Sequence, residues 1–148
     1  MAVHRETRLV PYAADLLYAV VADVERYPDF LPGCQGLKLL SRETVGEEEI
    51  LRAEMTAGSG PLRLSYISRV VLSPVARRIA VTQLSGPFRQ LDTLWHFTPQ
   101  AGGTVVDFSI TFEFRNPLFE AAMGAVFAQS VRKISHAFEM RAASLINA

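Results

Sequence analysis

Histidines, cysteines, paired carboxylates and activated hydroxyls are the groups that do acid/base, nucleophilic or metal chemistry, and this sequence keeps them apart. Its histidines are His4, His96 and His136, and its one cysteine is Cys34. No two histidines stand at metal-ligand spacing, and neither His-Glu-x-x-His nor Cys-x-x-Cys occurs. There is no Gly-x-Ser-x-Gly elbow, and Gly58-Ser59-Gly60 reads as a turn rather than a phosphate cradle. Cys34 lies between Gly33 and Gln35 with no adjacent cation to activate it, so a structural thiol is expected. A lone cysteine closes no internal disulfide, which points to a reducing compartment. Asp92 and Glu113 would make an acid/base pair only if they faced inward, and strand alternation puts both, with His96, on outward faces. Glu47-Glu48-Glu49 and Arg77-Arg78 read as solvated turns. The expectation is a protein with no catalytic residues, no metal and no resident cofactor.

What remains is apolar and aromatic. Val106, Phe108, Ile110, Phe112 and Phe114 share one face of a strand over Thr104–Phe114, while Val105, Asp107, Ser109, Thr111 and Glu113 share the other. Over Phe88–Phe97, Leu91, Trp95 and Phe97 turn inward by the same rule. Asn116 and Pro117 then supply an N-cap and a first helical residue. One long helix is predicted from there to Ile146, roughly 45 Å long at 1.5 Å per residue. Its apolar stripe holds Phe119, Met123, Val126, Phe127, Ile134, Phe138 and Leu145. Trp95, Phe97, Phe108, Ile110, Phe112, Met123, Phe127 and Ile134 converge if that stripe faces the sheet. Such residues line an ordinary core and an apolar ligand cavity alike.

These faces need elements to hold them. Val3–Val10 reads as a first strand and Ala13–Glu25 as a helix, with Leu16, Leu17, Val20, Val21 and Val24 at helical spacing. Pro28 and Pro32 break the following segment, whose Tyr27, Phe30 and Leu31 need cover; a one-turn helix or packed loop is expected. Strands over Leu37–Arg42, Ile50–Ala57, Leu62–Leu72, Arg78–Leu84, Phe88–Phe97 and Thr104–Phe114 are separated by short Gly/Pro turns, the pattern of an antiparallel meander. The predicted class is α+β: an antiparallel sheet of about six or seven strands curved around a long C-terminal helix, in one domain spanning residues 1–148.

Composition bounds the partners. The chain has 148 residues with 15 cations and 15 anions, so its formal charge is zero. Charged residues make up 20% against a usual quarter, and hydrophobic residues 49%. Neutrality argues against a strongly basic nucleic-acid binder and leaves room only for a local basic patch; DNA is not expected as a partner. The longest uncharged stretches, Thr93–Val106 and Ala121–Val131, fall short of the about 20 apolar residues of a membrane span. The first eight residues lack the apolar region of a signal peptide.

Three stretches carry a resemblance. The first is Tyr12-x4-Leu17-Tyr18-x2-Val21-x-Asp23-Val24-Glu25-x-Tyr27-Pro28-x-Phe30-Leu31-Pro32-x-Cys34. The second is Ser68-Arg69-Val70, then Gly86-Pro87-Phe88-Arg89-x-Leu91-x3-Trp95-x-Phe97. The third is Phe108-x-Ile110-x-Phe112-x-Phe114-Arg115-Asn116-Pro117-Leu118, with Ala137-Phe138-Glu139-x-Arg141-Ala142 later. Together they resemble the coenzyme Q-binding START-domain proteins. That family lies in the polyketide cyclase/START-like helix-grip superfamily, with the bacterial ribosome association toxins.

The resemblance implies a helix-grip fold and a tunnel between sheet and helix for a hydrophobic small molecule, ubiquinone or a related polyprenyl quinone. It implies a carrier or chaperone role in respiration, in the bacterial cytoplasm with peripheral contact at the inner membrane. The toxin branch implies an alternative, binding to the large ribosomal subunit with inhibition of translation; the wider superfamily implies a second, a cyclase-type enzyme. The ligand-binding set expected on these grounds is Tyr27, Phe30, Tyr66, Leu91, Trp95, Phe97, Phe108, Ile110, Phe112, Met123, Phe127 and Ile134. Arg69, Arg89 and Tyr66 are candidate donors to quinone oxygens. One departure is Gly33, where many members carry an aromatic residue before the loop cysteine; it bears on how the loop closes over the tunnel.

Overall fold

The computed structural model describes residues 1–146. Seven strands form one antiparallel sheet: β1 (Ala2–Val10), β2 (Cys34–Val45), β3 (Glu48–Ser59), β4 (Leu62–Ser73), β5 (Arg78–Ser85), β6 (Phe88–Gln100) and β7 (Gly103–Phe114). β2 to β7 run as a meander and β1 returns beside β7, giving the order β1-β7-β6-β5-β4-β3-β2. Both the meander and the seven-strand α+β architecture follow the alternation in the sequence. Along β7 every second residue from Thr104 to Phe114 is buried.

Between β1 and β2 the chain makes α1 (Ala14–Ala22), a single 3-10 turn (Val24–Arg26) and the one-turn helix α2 (Tyr27–Phe30). Leu17, Val20 and Val21 of α1 are buried. Pro28 sits in the first turn of α2, where its missing N–H costs nothing, and Leu31 ends the helix in extended conformation. The 12-residue β2 and β3 extend well past the strands predicted there, because their outer ends pair with each other beyond the edge of the core.

The predicted single C-terminal helix is two helices. α3 covers Pro117–Arg132 and α4 covers Ile134–Ile146, with Lys133 between them. The Lys133 N–H turns back to the Ser130 carbonyl at 3.1 Å, and the Lys133 carbonyl accepts from Ala137 to start α4. No Pro or Gly marks the break. It is a tertiary effect: α3 keeps Met123, Phe127 and Val131 on the sheet, and α4 turns Phe138 and Ala142 into the core. Leu145, predicted on the apolar stripe, is exposed beyond that turn. The helices lie across the inner face of the sheet, and the core fills most of the space between, leaving one central region open.

Candidate functional site

That region is a cavity of about 120 Å³ at the centre of the grip. Its floor is the inward face of β3 to β7, including Met55, Leu64, Val81, Leu91 and Ile110. Its roof is α3 and the start of α4, with Met123, Phe127, Val131 and Ile134. The segment Leu31–Pro32–Gly33 closes one side. No lining residue carries a charge. Open sites for small molecules usually enclose about 300–1,000 Å³. This one holds a ring or a short run of chain and widens only if helix and sheet part.

The alternation rule supplies the wall because inward positions on five neighbouring strands fall in register. Val81 is opposite Thr93, and Thr93 is opposite Ile110, so a row crosses the sheet through the cavity. Thr93 and Ser130 bring hydroxyls to an otherwise apolar lining. The remaining side-chain hydroxyls are two phenols. Tyr27 donates its proton to the Val21 carbonyl, which ties α2 to α1. Tyr66 donates to the Met55 sulfur at 3.0 Å. A thioether is a weak acceptor, so this hydroxyl is free to turn to a better one. Burial pushes both phenols well above the ordinary tyrosine range and keeps them protonated donors. Burial likewise pushes the Cys34 thiol up to about 11, the opposite of an activated nucleophile.

Two glycines shape the side wall. Gly33 has φ of 84°, and a Cβ there would meet the Ser130 hydroxyl oxygen at 2.7 Å. Its carbonyl accepts from the Gly58 N–H at 2.9 Å. The departure from an aromatic residue at Gly33 is thereby explained: the loop is pinned between α3 and β3 too closely for a side chain.

Of the twelve residues expected to bind ligand, nine line this cavity: Tyr27, Tyr66, Leu91, Trp95, Phe108, Ile110, Met123, Phe127 and Ile134. Three lie elsewhere. Phe30 packs edge-on against Phe138 at 5.2 Å, under the Arg141 guanidinium. Phe97 stacks flat on Trp95, away from the cavity. Phe112 is packed between Phe114 and Phe127. These rings fill the ends of the grip, and alternation alone does not distinguish a filled end from an open centre. Arg69 and Arg89, the other candidate donors, are exposed on the outer face and do not approach the cavity. Met55, Val81, Thr93 and Ser130 also line the cavity, as does Phe138 of the apolar helical stripe; none belongs to the expected ligand-binding set. Both hydroxyls had a signal: Thr93 shares the inward parity of Leu91 and Trp95, and Ser130 stands at helical spacing from Met123 and Phe127.

A second void of about 20 Å³ lies toward β1 and α4. Trp95, Phe108 and Phe138 line both voids and form the partition between them. Its rim is polar: Arg8 donates to Glu139 at 2.5 Å and Ser135 donates to Glu6, with His4 3.6 Å from Glu6. Here the serine bonds the carboxylate and not the imidazole, so the order of a nucleophilic triad is not met. Among the described residues there is no cluster of three metal-ligating side chains, and no helix is long and apolar enough to cross a membrane.

The model of the polyketide cyclase/dehydrase and lipid transport family matches residues 10–139. The chain belongs to this family. The match spans every residue of the cavity wall, from Tyr27 to Phe138. Within the family, the chain is 34% identical to the ribosome association toxin RatA of Pseudomonas aeruginosa over 142 residues, 95% of each chain. It is 29% identical to the mitochondrial coenzyme Q-binding protein COQ10 homolog B of Xenopus laevis, covering 94% of this chain and 57% of that one.

Among solved structures, an 18 kDa Caulobacter crescentus protein superposes over the full length of both chains with TM-score 0.80 and 34% identity. The Zhui aromatase/cyclase of Streptomyces superposes with TM-score 0.79 at 20% identity, over 98% of this chain and 95% of that one. A START superfamily protein of Mycobacterium smegmatis does so with TM-score 0.77 at 18% identity, over 97% and 98%. The last two establish the shared START-like fold and nothing finer.

Proposed function

We propose that the protein binds a hydrophobic small molecule in this cavity without transforming it, and that the molecule is a polyprenyl quinone such as ubiquinone. One observation carries the reading: an uncharged, apolar cavity whose best-placed donor, the Tyr66 hydroxyl, is held only by a sulfur. An acceptor-bearing ring satisfies that donor, while Leu, Ile, Met and aromatic walls take its apolar parts at about 25 cal/mol per Å² buried. The volume fits a head group or a few isoprene carbons, so a longer tail is taken up only if the helices part from the sheet. The absence of a charged group from the wall supports binding over general acid/base catalysis of the cyclase kind. Similarity to a coenzyme Q-binding protein supports the choice of quinone.

The test is extraction. The protein is purified from its native host, extracted with organic solvent, and the extract examined for quinone by mass spectrometry. A protein that is consistently empty and takes up no added quinone refutes the reading.

Association with the large ribosomal subunit is a second reading, favoured by the near-full-length similarity to ribosome association toxins. Overexpression followed by sucrose-gradient profiling tests it. Unchanged levels of joined ribosomes count against it.

A further inference from the structure

On the outward face of the β2–β4 half of the sheet, Arg52 stands directly opposite Arg69. Both are exposed. Directly opposed residues have Cβ atoms about 4.5–5.5 Å apart, and like charges at that spacing repel. Neither arginine joins an ion pair among the described residues. Alternation brings Lys38 and Arg63 to the same face, both exposed and equally without an ion-pair partner among the described residues. Within the rows from Arg63 to the Arg52–Arg69 pair the carboxylate is Glu54, half-buried and opposite Lys38; Glu43 and Glu48 share the face in the next rows, where Glu48 accepts from the Ser73 hydroxyl. Within these rows four cations face one anion, in a chain whose total charges balance at 15 and 15.

The patch is a stripe. Arg63 and Arg69 are six residues apart on one strand, about 20 Å at 3.3 Å per residue. Between Arg63 and the Arg52–Arg69 pair lie Thr56 and Ser65, whose hydroxyls are hydrogen-bonded at 3.1 Å and exposed. Guanidinium forks match phosphate oxygens, and hydroxyls are common phosphate and sugar partners. The outward residue in the middle of the stripe, Ile67, is half-buried, so little apolar surface stands proud to enter a bilayer. Lys38, Thr56, Ser65 and the three arginines offer no aromatic ring on which an unpaired base would stack.

We infer that the Arg52–Arg69 stripe binds the phosphodiester backbone of structured RNA, independently of base sequence. The inference rests on the ribosome-association reading and supplies its contact chemistry. It is independent of the cavity, which opens on the other face of the sheet.

The test compares wild type with R52Q/R69Q on a fluorescently labelled RNA duplex across a potassium chloride series. For wild type, log K falls linearly with log salt. The double variant loses about 1.5–2 from that slope and about tenfold in affinity at low salt. Its Tm holds or rises, because a repulsive pair is gone. R5Q, on the outward face of β1, binds like wild type. Equal duplex binding by wild type and R52Q/R69Q, no duplex binding by wild type, or binding to phosphatidylglycerol vesicles in place of the duplex overturns the inference. Purified large ribosomal subunits are sedimented in parallel. A wild type that binds duplex and not subunits removes the ribosome reading and leaves the RNA-binding stripe. Subunit binding unaffected by R52Q/R69Q removes the stripe and leaves the ribosome reading.

Discussion

The hydroxyl of Tyr66 donates to the sulfur of Met55 at 3.0 Å across neighbouring strands, and both side chains border the cavity. The pairing is a placeholder in chemical terms: a donor needs a partner when buried, and a thioether is a poor one. A ligand carbonyl entering the cavity competes with a weak bond rather than a strong one.

Tyr66→Phe therefore costs little stability and more affinity. Stability is expected to change by less than about 1 kcal/mol, since no strong acceptor is orphaned. Quinone affinity falls by about three- to tenfold, the worth of one neutral hydrogen bond. Affinity for an oxygen-free hydrocarbon of similar size stays the same. Isothermal titration with a short-chain quinone and with the hydrocarbon reads the difference; equal losses for both ligands refute the donor role.

Filling the cavity separates binding from folding. Trp95 does not serve for this, because it is 4% exposed and packs against Phe97, Phe108 and Phe138. Trp95→Ala costs about 3–5 kcal/mol of stability whatever the ligand does. Val126 is only half-buried on the α3 wall. Val126→Trp puts a ring into the void, keeps a cooperative thermal transition, and abolishes quinone uptake. Full uptake by a folded Val126→Trp protein means the ligand sits elsewhere.

Gly33→Ala tests the side wall. The added Cβ would lie 2.7 Å from the Ser130 hydroxyl oxygen on a backbone with φ of 84°. A loss of about 1–3 kcal/mol is expected in urea denaturation. Gly33→Ala with Ser130→Ala recovers only the steric part, since the positive φ remains unfavourable for alanine. Complete recovery would show that backbone strain contributes nothing.

Stability is expected to fall at alkaline pH in two stages. The folded protein holds the Cys34 proton up to about 11, whereas the unfolded thiol releases it near 9. In that window the unfolded chain binds fewer protons, so stability drops as pH rises. Above pH 10 the unfolded tyrosines also ionise. In the folded chain burial holds Tyr18 protonated up to about 12, and Tyr27 and Tyr66 higher still. The decline steepens there. Cys34→Ala flattens the first stage and leaves the second. Urea midpoints measured from pH 7 to 11 check both, and an identical first stage in Cys34→Ala refutes the assignment.

Much of the fold was legible because its signals are local. The unbroken alternation from Thr104 to Phe114, the Asn116-Pro117 helix start and the Gly/Pro turns each constrain a few neighbouring residues. The break at Lys133 was not legible, because no Pro or Gly marks it and it follows how Met123, Phe127 and Val131 on one side and Phe138 and Ala142 on the other meet the core. Candidate site residues divided the same way. Leu91, Trp95, Phe108 and Ile110 have inward parity and border the cavity, while Phe97 and Phe112 share that parity and lie outside it, Phe97 on the small second void and Phe112 against Phe114 and Phe127.

The sequence by itself determined the family, the antiparallel sheet with its apolar inner face, and a zero net charge. The tertiary structure alone decided where the inner face is left unfilled, which hydroxyl faces the gap with a weak partner, and how the balanced charges are distributed. The reason is range. Period and propensity fix which way a side chain points, but what stands opposite it depends on strand register and helix placement. Arg52 and Arg69 are 17 positions apart in the chain and become neighbours only when β3 pairs with β4.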